Sequence, residues 1–290
     1  MNLNGRLHTA TPDGAVDVAK ASDGQFAPDP QAVYDTWETF CEWHSAHRDA
    51  LAALPATPVE PSELGSPVPS PRQIFAVGLN YSEHAAESGF TKPDAPLIFT
   101  KFPSSITGPV TTVPLPDGSV DWEVELVVVI GRGGRNIAVE DAWRHVAGLT
   151  VGQDLSERQQ QHSGPAPQFS LAKSHRGFSP MGPAVVTLDE IPDPDDLSIV
   201  ATINDEVVQE GRTSQLIFPV PLLLSILSET VELYPGDVVF TGTPSGVGAG
   251  RTPPRFLGPG DVLRSSVEGL GELHQTFVAA NETVSAGRGV

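Results

Sequence analysis

The chain is poor in thiols and in basic residues. A single cysteine among 290 residues, Cys41, excludes an internal disulfide framework and a thiolate-held metal cluster. Only 17 lysines and arginines stand against 36 aspartates and glutamates, a formal net charge of −19. A chain this acidic lacks the basic face needed to track nucleic-acid phosphates, and an anionic membrane surface repels it. No apolar run approaches the roughly 18 residues of a membrane span. The opening MNLNGRLHTATPDG has no apolar stretch of the kind a signal peptide carries. The expectation is a soluble cytoplasmic chain with neither a nucleic-acid nor a membrane partner. Its 28 glycines and 28 prolines exceed the usual share, yet 39% hydrophobic residues suffice for a core.

Two textures follow each other. Residues 1–70 read as a small N-terminal domain and linker. After a polar stretch, Asp29-Pro30 suits a helix start. Val33, Trp37, Phe40, Cys41, His44 and Leu51 then recur at helical spacing, predicting one amphipathic helix over about 31–53. The Pro/Ser-rich PATPVEPSELGSPVPSP cannot hold a helix and reads as the linker. Residues 71–290 read as the second domain, made of short β-rich runs broken by Gly and Pro. Candidate strands are 74–79, 96–100, 120–131, 145–153, 184–187, 198–204, 237–242 and 261–273, with helical patterns at Val139–His145 and Pro219–Glu229. Many strands and few helices predict an α+β, mostly β domain and argue against a Rossmann fold. The G-x-G-x-G at 246–250 is followed by Pro253-Pro254, which forbids the helix a dinucleotide fingerprint needs. The absence of a G-x-S-x-G elbow removes support for Ser-His-Asp hydrolysis.

The most informative segment is VDWEVELVVVIG. Alternate residues of a strand share a face, so Glu123 and Glu125 point together, away from Trp122, Val124 and Leu126. The continuous VVVI predicts burial on both sides. Two adjacent buried carboxylates must be protonated, paired with cations, or bound to a metal; the alternative is an exposed acidic strand face. Asp154 ends another apolar run, VAGLTVGQD, and can join them. Three carboxylates without a thiolate favour Mg²⁺ or Mn²⁺ over Zn²⁺ or copper. His84 and Glu87 share a face if Tyr81–Glu87 forms a helical turn, and a carboxylate beside an imidazole makes a general base; the alternative is an ordinary surface pair. Gly89 and a following proline suit a mobile lid across 80–90. Lys173, Arg158 and Gln161 could face an anionic substrate, the alternative for each being an ordinary surface position, and the hydroxyls and amides of Thr241–Gly248 could hold a carboxylate.

In order along the chain, GLNYSEHAAESG, VDWEVELVVVIG, VAGLTVGQDLSERQQQ, AKSHRGFSPMGP and TSQLIFPVPLLLSILSETVELYPGDVVFTGTPSGVG resemble the fumarylacetoacetate hydrolase family over residues 71–275. The resemblance implies a mixed β-roll catalytic domain preceded by a small variable N-terminal domain. It implies Mg²⁺ or Mn²⁺ held by Glu123, Glu125 and Asp154, with His84 and Glu87 as a water-activating dyad and Lys173 steadying an enolate. Tyr81, Arg158, Gln161 and Thr243 would lie at the substrate. The substrate would be a small 2-oxo acid, and the assembly a homodimer, as members commonly are. Gln153, Glu157, Gln159 and His175-Arg176 depart from the commoner pattern of Asn, Ala, Asp and Phe-Asp or Phe-Pro, which bears on substrate choice. The implied activity is metal-dependent hydrolysis of a carbon–carbon bond in an acylpyruvate-like β-diketo acid. The alternatives are tautomerisation or decarboxylation of a 2-oxo (enol) diacid, or a silent oxo-acid-binding member.

Overall fold

The strand Val124–Ile130 is the axis around which the molecule is built. All seven of its residues are buried. Its even-numbered side chains Val124, Leu126, Val128 and Ile130 join one apolar cluster, and Val127 and Val129 join another. Each such side chain contributes roughly 1.5–3 kcal/mol on burial, so the strand tolerates the one carboxylate it carries inward, Glu125. The computed structural model describes residues 1–87, 89 and 93–280.

Val124–Ile130 lies mid-sheet in a seven-stranded mixed sheet. The order is Leu97–Thr100, Ile74–Gly78, Val238–Phe240, Val124–Ile130, Val146–Gln153, Ser179–Val186, Ile106–Thr107. A five-stranded sheet, Glu206–Arg212, Ser198–Ile203, Val262–Val267, Gly271–Ala279 and Val110–Leu115, contributes to the even-side cluster through Ile199, Leu263 and Phe277. The helix Val220–Thr230 adds Leu223, Leu224 and Leu227 to that cluster. The fold is α+β and mostly β, with curled mixed sheets and few helices, as expected.

The N-terminal residues cover the opposite face. Leu7, Val18, Phe26, Val33, Tyr34 and Val68 share a cluster with Ile74, Val127, Val129 and Phe240, so one core spans the change of texture at residue 70. The predicted helix becomes a 3₁₀ turn, Ala32–Thr36, followed by an α-helix, Trp37–Ala52. Its aromatic side meets Phe26, whose ring centroid is 5.4 Å from Phe40 and 5.3 Å from Trp43.

Several elements differ from the sequence expectation. The linker is tied in: Leu64–Gly65 pairs with Asn2–Leu3, extending a sheet made by the hairpin Arg6–Thr11 and Gly14–Asp17. Its prolines prevent an α-helix but allow the one-turn 3₁₀ helix Pro61–Glu63, and two ladder positions suffice for the strand. The run 261–273 is a hairpin turning at Glu268–Leu270. Val139–His145 is a 3₁₀ helix. The strand expected at 184–187 starts earlier, at Ser179.

The most consequential correction concerns 120–131, which is not one strand. Val120–Asp121 pairs with Ser156–Glu157, and the ladder resumes only at Val124. In the gap, side chains replace the ladder. Asp121 Oδ1 accepts from Trp122 N (2.8 Å), Gln153 Oε1 from Glu123 N (2.9 Å) and Gln209 Oε1 from Val124 N (3.0 Å). These buried acceptors fix the backbone where the acidic side chains leave it.

Candidate active site

Glu123, in the gap, and Glu125, in the resumed strand, bring their carboxylates together. Asp154 follows the neighbouring antiparallel strand, its N–H donating to Glu123 O at 2.9 Å. One carboxylate oxygen from each of the three lies within 4.8 Å of the others, and all three residues are buried. Gly152 faces Glu125 in register, and a Cβ there would collide with Val127 and Phe240.

Three cations border the acids. Lys173 Nζ donates to Glu123 Oε2 (2.8 Å) and Asp154 Oδ2 (2.7 Å). Lys101 Nζ pairs with Asp154 and donates to Phe178 O at 3.1 Å. Arg158 contacts Asp121 Oδ2 (2.8 Å) and Glu123 Oε1 (2.7 Å). Burial raises the Glu123 carboxyl, but Lys173 and Arg158 outweigh it and bring the pKa down to about 2. The lysines diverge. Burial pulls Lys173 down, yet Asp154 and Glu123 hold it above its ordinary value, whereas burial and the like charge of Lys173 leave Lys101 lowered.

Glu125 differs from its neighbours. Its one hydrogen bond among the described residues comes from Gly242 N at 2.8 Å. Burial, then Asp154 and Glu123, push its carboxyl well above the ordinary range. The Tyr81 hydroxyl is buried with no partner among the described residues, and burial followed by Glu125 raises its pKa. An under-compensated carboxylate in an all-oxygen set fits a divalent cation of the Mg²⁺ or Mn²⁺ type.

This imbalance predicts a stability effect. A raised carboxyl binds its proton more tightly folded than unfolded, so apo stability falls as pH rises through the ordinary glutamate range. Glu125→Gln removes the charge. The metal-free variant is expected to melt higher than the parent near neutral pH, because it no longer carries a buried charge repelled by Asp154 and Glu123. That gap should close below the ordinary glutamate range, and metal-free melting curves from acid to neutral pH measure it.

Asn80 anchors the other half of the site. Its side chain donates to Thr241 O (2.7 Å) and Phe218 O (3.1 Å) and accepts from Phe218 N (2.8 Å). The helix Ser82–Glu87 starts two residues later. On it, His84 Nδ1 meets Glu87 Oε1 at 2.8 Å. Both Glu87 oxygens also accept from Gly246 N, at 3.1 and 2.9 Å. A carboxylate so placed accepts from Nδ1–H, which leaves Nε2 as the basic nitrogen. The lid expected across 80–90 runs into residues 88 and 90–92, which lie outside the described residues.

The loop Thr241–Ala249 does hold carboxylates, and they are the chain's own: Gly242 binds Glu125, Gly246 binds Glu87, and Gly248 and Ala249 bind Asp121 at 2.7 and 3.0 Å. Gly242 and Gly246 take φ of +103° and +108°, which glycine tolerates best.

A cavity of about 300 Å³ opens onto these groups. His84, Glu87, Glu123, Arg158, Gln161, Lys173 and Thr243 line it, and buried Tyr81, Glu125 and Asp154 are not part of its wall. Gln161 accepts from Arg158 Nη1 at 3.0 Å. The Thr243 hydroxyl donates to Val124 O (2.9 Å) and accepts from Gln209 (2.7 Å), so its proton is committed to the fold. Sequence reasoning missed Lys101, Asp121 and Gln209. Asp121, beside Glu123 in the same motif, was the most accessible of the three.

A profile described as Fumarylacetoacetate (FAA) hydrolase C-terminal matches residues 73–278. Oxaloacetate tautomerase FAHD2A, mitochondrial, of Homo sapiens is 46% identical over 232 residues, 79% of this chain and 74% of that one. A Mycobacterium smegmatis structure provisionally called an HpcE protein is 65% identical, with TM-score 0.90, covering 97% of this chain and 99% of its own. The fumarylpyruvate hydrolase of Pseudomonas aeruginosa, solved with Mn²⁺ and pyruvate, is 32% identical, with TM-score 0.65, over 72% of this chain and 90% of its own. Among the described residues no helix is long and apolar enough to cross a membrane.

Proposed function

The chain belongs to the fumarylacetoacetate hydrolase family, and on that footing we propose that it is a metal-dependent tautomerase. Its substrate is a small 2-oxo diacid of the oxaloacetate class, interconverted between enol and keto forms. What carries this is a cavity in which the His84 imidazole, held by Glu87, and the buried Lys173 lie beside the acidic triad, in a chain 46% identical to an oxaloacetate tautomerase.

Glu123, Glu125 and Asp154 would hold a cation, Mg²⁺ or Mn²⁺ by the donor set, and it would supply Lewis acidity toward the 2-oxo group. The protein's own groups do the rest. In the keto-to-enol direction His84 Nε2 takes a proton from C3, while Glu87 and Gly246 hold the ring in one orientation. Negative charge developing on the C2 oxygen is stabilised by Lys173, whose ammonium is fixed before reaction. The C2 oxygen then takes up a proton from solvent to give the enol, while the His84 imidazolium releases its own to solvent; the reverse direction runs the same transfers backwards, and the carbon skeleton is unchanged. Hydrolysis of an acylpyruvate would need a water as a further reactant. The tautomerase name of the 46% identical relative favours the simpler chemistry over the 32% identical hydrolase.

Decay of the enol's ultraviolet absorbance tests the proposal. Metal-loaded protein is expected to accelerate decay of enol oxaloacetate, and Lys173→Met to lower the enzymic part by roughly 10²–10³-fold, the scale of one preorganised donor. Decay at the buffer rate, in protein shown to hold metal, would contradict it.

A further inference from the structure

Building on the tautomerase reading, we propose that His162 receives the far carboxylate of the diacid and so selects dicarboxylic over monocarboxylic 2-oxo acids. Four basic side chains line the cavity: His84, Arg158, His162 and Lys173. Three are committed. His84 is bonded to Glu87, Arg158 to Asp121, Glu123 and Gln161, and Lys173 to Glu123 and Asp154. The His162 imidazole has no hydrogen-bond partner among the described residues.

Its placement suits the role. His162 caps the short helix Arg158–Gln161, its N–H donating to Arg158 O at 3.2 Å. The following segment returns to that helix through Gln168 N, 2.9 Å from Gln161 O, and Pro165 and Pro167 restrict the backbone between. Apolar Val77, Leu97, Phe99 and Val247, also in the lining, offer a carboxylate no partner. The oxo-acid end of a substrate belongs at the triad, so the far carboxylate must find its donor elsewhere in the wall. His162 is the basic side chain left for it. Its neighbour Gln161, a substrate contact expected from the sequence, lines the same cavity.

The test compares two four-carbon acids, oxaloacetate and 2-oxobutyrate, which differ in the far carboxylate. Calorimetry on metal-loaded protein should show the parent binding oxaloacetate about 10–100-fold tighter, the worth of one charge-assisted hydrogen bond. In His162→Ala that preference should collapse to near unity through weaker oxaloacetate binding, with 2-oxobutyrate unchanged. His162→Arg should retain the preference. In the enol assay the alanine variant should raise KM for oxaloacetate and leave kcat nearly intact, the mark of lost uniform binding. A preference that persists in His162→Ala, or is missing from the parent, overturns the proposal. If the preference depends on His162 but the parent leaves enol oxaloacetate unaccelerated, the carboxylate site stands and the tautomerase reading fails.

Discussion

Stripping divalent metal from the protein is expected to reduce enol–keto conversion by roughly 10³-fold or more, since Lewis-acid stabilisation of an enolate is worth several kcal/mol. Mg²⁺ or Mn²⁺ should restore it. The reasoning rests on charge. Lys173, Lys101 and Arg158 compensate Glu123 and Asp154, while Glu125 keeps one backbone donor against two acidic neighbours. Glu125→Gln should therefore lose both activity and calorimetric metal binding while the fold persists or gains stability. Full activity in demetallated protein would mean that the triad and its lysines form a structural ion-pair network.

His84→Ala should lower conversion by about 10²–10⁴-fold, the usual share of a positioned general base. Metal binding should survive, because His84 is not among the three ligands proposed. Glu87→Gln should cost less, because Gly246 still holds the side chain and only the charge beside the imidazole is lost. Loss of metal and oxaloacetate binding together in His84→Ala would make the histidine structural. An unchanged rate would move the base to another group in the cavity.

How much of this was legible follows from the range of the interactions. Glu123 and Glu125 stand two residues apart, so strand periodicity alone predicts them on one side, and Asp154 is brought in by an antiparallel neighbour. Local and near-neighbour patterns carry such information. The break at Trp122-Glu123 is different, because its causes, Gln153 and Gln209, lie 30 and 85 residues away. Nothing in VDWEVEL discloses that its ladder is interrupted. Lys101 was lost for a related reason. A lysine after the run PLIFT reads as a solvated strand end, and only packing shows it 2% exposed against Asp154. The Asn204-Asp205 turn, with φ of +50° and +69°, joins Ser198–Ile203 to Glu206–Arg212 but lacks the glycine that usually marks a tight hairpin. The choice between hydrolase and tautomerase is the least legible part, since both chemistries would call on the same proposed ligands, base and lysine.

The central claim is that this site moves a proton and leaves carbon–carbon bonds intact. One preparation of metal-loaded protein, followed by NMR in parallel reactions with enol oxaloacetate and with an acylpyruvate, tests it most directly. The account predicts rapid formation of keto oxaloacetate, abolished by chelation, with no pyruvate released from the acylpyruvate. Pyruvate release faster than the enol–keto conversion would contradict it.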